Sequence, residues 1–211
     1  MKKETISELT KMQLGSALFK LMKEKPIEKI SIREIANECG FPRSTFYYHF
    51  DDIYDLAAWF LASETVRCLR EGNGGSAILW GNSLLRLFES VKENYRMLRG
   101  VVGSTSFWRI SDSYCTRCVN AITPDLVAVV PEAAAVDQEF LRFLTAFYGH
   151  SMLDVCVKWF RGDMTSEPGE MVALLDVIIK NNFLGTLHSY SFMPGLRVPL
   201  QVQKQNLHSI A

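Results

Sequence analysis

No apolar run in the chain is long enough to cross a bilayer, and no signal-peptide core follows the lysines at its start, so the sequence points to a cytoplasmic protein that does not engage a membrane. Net charge is also missing: 23 Lys and Arg balance 23 Asp and Glu, which argues against an indiscriminate coat on nucleic acid. The five cysteines (Cys39, Cys68, Cys115, Cys118 and Cys156) are odd in number and unevenly spaced, unlike a secreted disulfide framework. There is no internal repeat and no low-complexity tract. The four histidines are scattered, and no Ser/His/Asp grouping, phosphate-binding glycine loop or paired-carboxylate motif is recognisable, which counts against an enzyme and against a cofactor. Cys115-Thr116-Arg117-Cys118 has CxxC spacing, but no second CxxC or His pair completes a four-ligand zinc site, so no metal is expected. A thioredoxin-like role expects a strand before the motif, whereas this one lies in a helical pattern. Two incidental helix cysteines and a thiol sensor both fit it.

What is present is helix. Apolar residues make up 48% of the 211, enough for a sizeable core. They recur at helical spacing almost throughout, and the nearest strand candidate is Asp125–Val130. The fold class expected is all-α.

The most informative stretch runs from Ser31 to Leu56. Ser31 and Glu34 have capping-box spacing, and Ile32, Ile35, Ala36 and Cys39 form one apolar stripe behind it. Gly40 supplies a left-handed stop, and Pro42 sits where a new helix can begin. In that second, short helix Phe46 and Phe50 share a face, leaving Arg43, Ser44, Thr45, Tyr47, Tyr48 and His49 directed outward. Such a set suits a DNA major groove, with N-terminal residues on base edges and the rest on phosphates. A helical hairpin with surface aromatics fits the pattern alone equally well.

The string Thr45-Phe46-Tyr47-Tyr48-His49-Phe50, with the acidic, Leu-containing helix start after it, resembles the end of the recognition helix in the TetR family of transcriptional regulators. The run Tyr47 to Leu56 further resembles the branch that includes dihydroxyacetone kinase regulators. The close likeness covers roughly residues 10 to 60; beyond it only helix pattern and length agree. It implies an N-terminal three-helix helix-turn-helix domain and a helical domain for effector binding and dimerisation. One departure stands out. Most relatives carry a phosphate-contacting Lys three residues after the Phe that ends the recognition helix, where this chain has Ile53 flanked by Asp51 and Asp52. The carboxylates suit a helix N-terminus but repel a DNA backbone, and Ile53 is expected in the core.

In chain order, a first helix is expected from Thr10, paired with Gln13 in capping-box spacing, to a stop at Pro26, with Leu14, Ala17, Leu18, Leu21 and Met22 inward. Lys2, Lys3 and Lys11 form either a basic arm near the duplex or a solvated terminus. Residues 1–50 carry nine Lys and Arg against six Asp and Glu, a mild positive bias. A connector helix should span about Ile53 to Glu71 and end at Gly72-Asn73-Gly74-Gly75. Helices are then expected over 76–93, around 95–102 and over 106–122, with an interruption at Pro124 and a loop at Pro131. Two strong helices follow, Asp137–Arg161 and one starting at Ser166-Glu167-Pro168 and ending near Thr186. The domains expected are therefore 1–55 for the reading head, 56–186 for the body and 187–211 as an irregular tail.

The resemblance assigns roles. Arg43 is the candidate for guanine, Thr45 and Tyr48 for base edges or a thymine methyl, and Tyr47 and His49 for phosphates, with Ser44 in the groove and Ser31 and Arg33 as further phosphate candidates. The aromatic body offers Trp80, Phe88, Phe107, Trp108, Tyr114, Phe147 and Tyr148 as a ligand pocket or as plain core. Apolar positions wrap more than one side of the last two helices, so Phe143, Phe147, Met152, Val155, Trp159, Leu174, Leu175 and Ile178 are candidates for a homodimer interface. The function expected is that of a homodimeric, operator-binding regulator, a repressor on family grounds, answering to a small molecule or a protein. The alternative is a protein-interaction coregulator that has lost DNA binding.

Overall fold

The structure, a computed structural model, describes residues 3–72, 74–75, 81–193 and 198. Among these residues the regular structure is entirely helical, and it forms two compact units, each discontinuous in sequence. The first comprises Met1–Glu64 with Asn94–Tyr114, the second Thr65–Glu93 with Cys115–Ala211. Residues 94–114, expected with the body, thus cluster with the helix-turn-helix.

The first unit opens with α1 (Lys3–Met22) and a short 3-10 turn at Ile27–Lys29. Thr10 does not start α1. Its hydroxyl donates to the Ile6 carbonyl at 2.9 Å, the backward bond of a mid-helix threonine. The Thr-x-x-Gln spacing that imitates a cap is thus satisfied one turn inside a longer helix. Helix α2 (Ile32–Cys39) carries the expected capping box: the Glu34 amide donates to Ser31 Oγ, and the Ser31 amide donates to Glu34 Oε2. Gly40 ends it at φ 70°, a conformation that favours glycine. Helix α3 (Arg43–His49) follows, and then α4 (Ile53–Gly72). The unit is completed by α6 (Tyr95–Val102) and the beginning of α7 (Phe107–Val129).

Leu14, Leu18, Ile27, Ile35, Phe46 and Leu56 are fully buried at the centre of this unit, with Val101 and Ile110 adding to the same cluster and Ile53 partly buried against it. Gly15 permits the close meeting of α1 and α4: a Cβ there would lie 2.1 Å from the Phe60 ring. Phe60 stacks obliquely on Phe19 with ring centroids 4.6 Å apart.

The second unit holds the end of α4, α5 (Asn82–Glu93), the rest of α7, a short α8 (Pro131–Ala134), α9 (Gln138–Arg161) and α10 (Pro168–Ser191). Of the helix expected over 76–93, residues 76–80 lie outside the described ones, as do Lys2 and most of the tail. Helix α7 runs through Pro124 instead of stopping there, and Asp125–Val130 contributes to α7 and its end, not to a strand. An interior proline costs a helix about 3 kcal/mol. Burial of Val119, Ile122, Leu126 and Val130 along one side of α7 offsets that cost. Pro131 starts α8 where a loop was expected. Asp137 caps α9 by accepting from the Glu139 and Phe140 amides, and Glu167 caps α10 in a reciprocal box with Glu170. Helix α10 continues past Thr186 to Ser191, because buried Leu187 extends the stripe of Ile179 and Phe183 by another turn. Phe88 is fully buried against Trp159 at 5.1 Å between ring centroids.

Candidate nucleic-acid interface

The geometry of α3 follows from one anchor. Phe46 is fully buried, and Phe50, the residue that closes the helix, is buried beside it at 6.0 Å between ring centroids. With that side fixed inward, Arg43, Ser44, Tyr47 and Tyr48 are exposed, Tyr48 most of all at 74%. Thr45 and His49 are half-buried at the edges of the exposed face. Arg43 and Tyr47 lie one turn apart, and the guanidinium donates to the Tyr47 hydroxyl at 3.4 Å while sitting 6.0 Å from the ring centroid. A short helix thus presents a pre-ordered cation, two phenols and a hydroxyl on one surface. That combination can offer donors to guanine and to phosphate, and planar faces to bases or sugars.

The supporting helix is rigidly started. Ser31 and Arg33 are exposed at the N-terminal turn of α2, and Lys25 pairs with Glu34. The Lys25 hydrogen bond first, and then the Ser31 amide, hold the Glu34 carboxyl down at about 2. Partial burial, followed by the nearby Lys11 ammonium, depresses the His49 imidazole below its usual value. In the free protein His49 is therefore neutral at physiological pH, and it can donate to a phosphate through one ring nitrogen.

Two polar clasps, which sequence reasoning missed, tie residues 94–114 to this head. Ser104 Oγ and the Thr105 amide donate to Glu28 Oε1 at 2.6 and 3.2 Å. Arg109 donates to Asp52 Oδ2. Arg109 is 57 positions from Asp52, and Ser104 and Thr105 are 76 and 77 positions from Glu28, with no local pattern to announce either clasp.

Of the aromatic residues expected as a ligand pocket or plain core, Phe107, Trp108 and Tyr114 belong to the first unit and Phe88, Phe147 and Tyr148 to the second. Phe107 and Tyr114 lean on the core of the first unit, and Trp108 is 73% exposed. Phe88 is wholly buried in the second unit, where Tyr148 packs on Phe183 and Phe147 is exposed. Trp80 lies outside the described residues. The interface candidates divide as well. Met152, Trp159 and Leu175 are buried within the second unit and so belong to the chain's own core, whereas Phe147, Leu174 and Ile178 are exposed and Phe143 and Val155 half-buried. On helices that are apolar on several sides, sequence spacing could not separate the inner stripe from the outer one. Val177, 64% exposed, was missed and joins the outer stripe. Cys115 and Cys118 are buried on α7, and among the described residues no group of His, Cys, Asp and Glu could hold a metal. No helix among them is long and apolar enough to cross a membrane.

The chain is similar to known proteins. Residues 16–58 match the family model described as bacterial regulatory proteins, tetR family, and residues 79–181 match one described as transcriptional regulator C-terminal region. Among solved structures, the TetR family repressor AlkX from Dietzia sp. strain DQ12-45-1b is similar, at 13% identity and a TM-score of 0.60 over 83% of this chain and 97% of that one. The dihydroxyacetone kinase operon activator DhaS matches at 17% identity and a TM-score of 0.49, covering 85% of this chain and 97% of that one. NalD, a secondary repressor of a multidrug efflux pump in Pseudomonas aeruginosa, matches at 17% identity and a TM-score of 0.40 over 87% and 96%.

Proposed function

Because the chain belongs to the tetR family of DNA-binding transcriptional regulators, we propose that it acts as a homodimeric repressor whose α3 helices read operator DNA in the major groove. It is a transcription factor and not an enzyme. The observation that carries the reading is the division of α3: one buried aromatic anchor, with Arg43, Ser44, Tyr47 and Tyr48 exposed. Arg43 reads guanine, Thr45 and Tyr48 meet base edges or a thymine methyl, and Tyr47, His49, Ser31 and Arg33 grip phosphates. The work is done beside the chromosome, in the cytoplasm.

Dimerisation uses the outer stripe of the second unit, centred on Leu174, Val177 and Ile178 of α10 with Phe147 of α9. Burying this stripe against a second copy removes large apolar side chains from water, the main drive for such association. A two-fold dimer then presents two reading heads to successive grooves. An effector, small molecule or protein, ends repression by binding better to a dimer whose heads are misspaced for the operator.

The test is binding of the purified protein to its own upstream intergenic DNA and to random duplex across a salt series. Preference for the upstream DNA, with log K falling linearly with log salt, is expected. No preference for any duplex, including ones selected from a random pool, overturns the reading and favours a coregulator that works through protein contacts.

A further inference from the structure

The helix after α3 starts in a strongly acidic setting. From Ser44 to Val66 the sequence contains no Lys or Arg, whereas Asp51, Asp52 and Asp55 put three carboxylates at the start of α4. In helix-turn-helix complexes, phosphates beside the recognition helix are held by cations and by open helix N-termini. Here the first amides of α4 are already engaged, because Asp52 Oδ1 accepts from the Tyr54 amide at 2.8 Å and the Asp55 amide at 3.0 Å. Ile53 packs against the core. The first turn of α4 therefore brings neither a cation nor those two amides to a passing phosphate.

A cation reaches the same spot from elsewhere in the unit. Arg109, in the first turn of α7, donates through Nη2 to Asp52 Oδ2 and lies 5.5 Å from the Tyr54 ring centroid. Its side chain remains 52% exposed. A guanidinium has five donors in a rigid fork and keeps its charge at any working pH, so one arm can hold Asp52 while another meets an oxyanion. The segment that delivers it is fixed by the Glu28 bonds to Ser104 and Thr105.

The geometry points to Arg109 as a phosphate-gripping residue of the DNA interface, carried by α7 to the start of α4, with Asp52 as the residue that positions it. This rests on the DNA-reading function proposed above. It also gives Asp52 a use beyond capping: the carboxylate that would repel the backbone is neutralised by the group that attracts it.

The experiment titrates the full-length protein against a duplex selected by the wild type from a random pool and against unselected random duplex, across a salt series. Wild type, Arg109→Gln and the double variant Asp52→Asn/Arg109→Gln are compared. Removing the grip on one phosphate lowers the slope of log K against log salt by about 0.9, and this reduction is expected on both duplexes. The double variant should show the same reduction, since it lacks the cation even though no bare carboxylate remains. It leaves neither an unpaired carboxylate nor an unpaired cation, so it carries the test even where Arg109→Gln alone unfolds the head. A wild-type slope in the double variant overturns the assignment and leaves Arg109 as a structural partner of Asp52. Wild type that binds neither duplex overturns the DNA-reading function, and this inference with it.

Discussion

The helix-turn-helix of the first unit and the last two helices of the second handle their apolar residues differently. In the first, α2 and α3 are one-sided: Ile32, Ile35, Ala36 and Cys39 on α2 and Phe46 on α3 turn to the core, and polar residues occupy the rest. In the second, α9 and α10 carry large apolar residues both inside, at Met152, Trp159, Leu175 and Phe183, and outside, at Phe147, Leu174, Val177 and Ile178. A one-sided helix needs one neighbour, and its sequence shows which side that neighbour takes. A helix apolar on two sides leaves a surface that solvent disfavours, and that surplus is the basis for assigning it to a second chain.

Removing one anchor from each unit tests this division hardest. Phe46→Ala and Phe88→Ala each delete a fully buried ring and should each cost about 3–5 kcal/mol in denaturant unfolding. Only Phe46→Ala should abolish DNA preference while the dimer persists. Equal effects of both variants on DNA preference would contradict the separation of roles.

Next in size is the outer stripe. Leu174→Glu puts a charge on an exposed position of α10, so a monomeric chain should tolerate it within about 0.5 kcal/mol. In a dimer seam it should cost about 2 kcal/mol or more, near 30-fold in dimer dissociation, read by sedimentation equilibrium. Unchanged dimer affinity would remove this stripe from the interface.

Glycines test the packing with opposite signs. A Cβ on Gly15 of α1 would meet the Phe60 ring at 2.1 Å, so Gly15→Ala should destabilise by about 1–3 kcal/mol despite the better helix propensity of Ala. On α9, a Cβ on Gly149 finds its nearest neighbour, Val119 Cγ2, at 3.8 Å, and Gly149→Ala should stabilise by about 0.5–1 kcal/mol. Thermal melts of the two variants should move in opposite directions.

The smallest effect concerns Glu34. Its carboxyl is held at about 2, below its ordinary 4.5, so the stabilisation it brings is complete above pH 4.5 and is lost as pH falls toward 2. Melting temperatures of wild type and Glu34→Gln should differ at neutral pH and converge at the acid end. A gap that stays constant across this range would show that the ion pair and cap do not depend on the Glu34 charge.

Much of the first unit was legible because its signals are local. Ser31 with Glu34, Gly40 and the Phe46–Phe50 pair each lie within a few residues of their partners, and the structure places them as the spacing implies. Local signals also misled. Thr10 and Gln13 have the spacing of a cap but sit inside α1, and Pro124 has the chemistry of a breaker yet is carried through by the buried stripe of α7. What was not legible is long-range. Asp52 and Arg109 meet across 57 positions, and only the fold reveals that a carboxylate beside the recognition helix comes with its own counter-ion. The inner and outer residues of α9 and α10 were likewise indistinguishable until burial separated Leu174 from Leu175.

Base reading by α3 is what the proposed function stands on, and it is probed by comparing Arg43→Ala with wild type on the selected duplex and on random duplex at one salt concentration. A loss of about 1–3 kcal/mol of discrimination is expected, with affinity for the selected duplex falling toward that for random DNA. An equal loss on both duplexes would contradict base reading and make Arg43 one more phosphate-gripping residue.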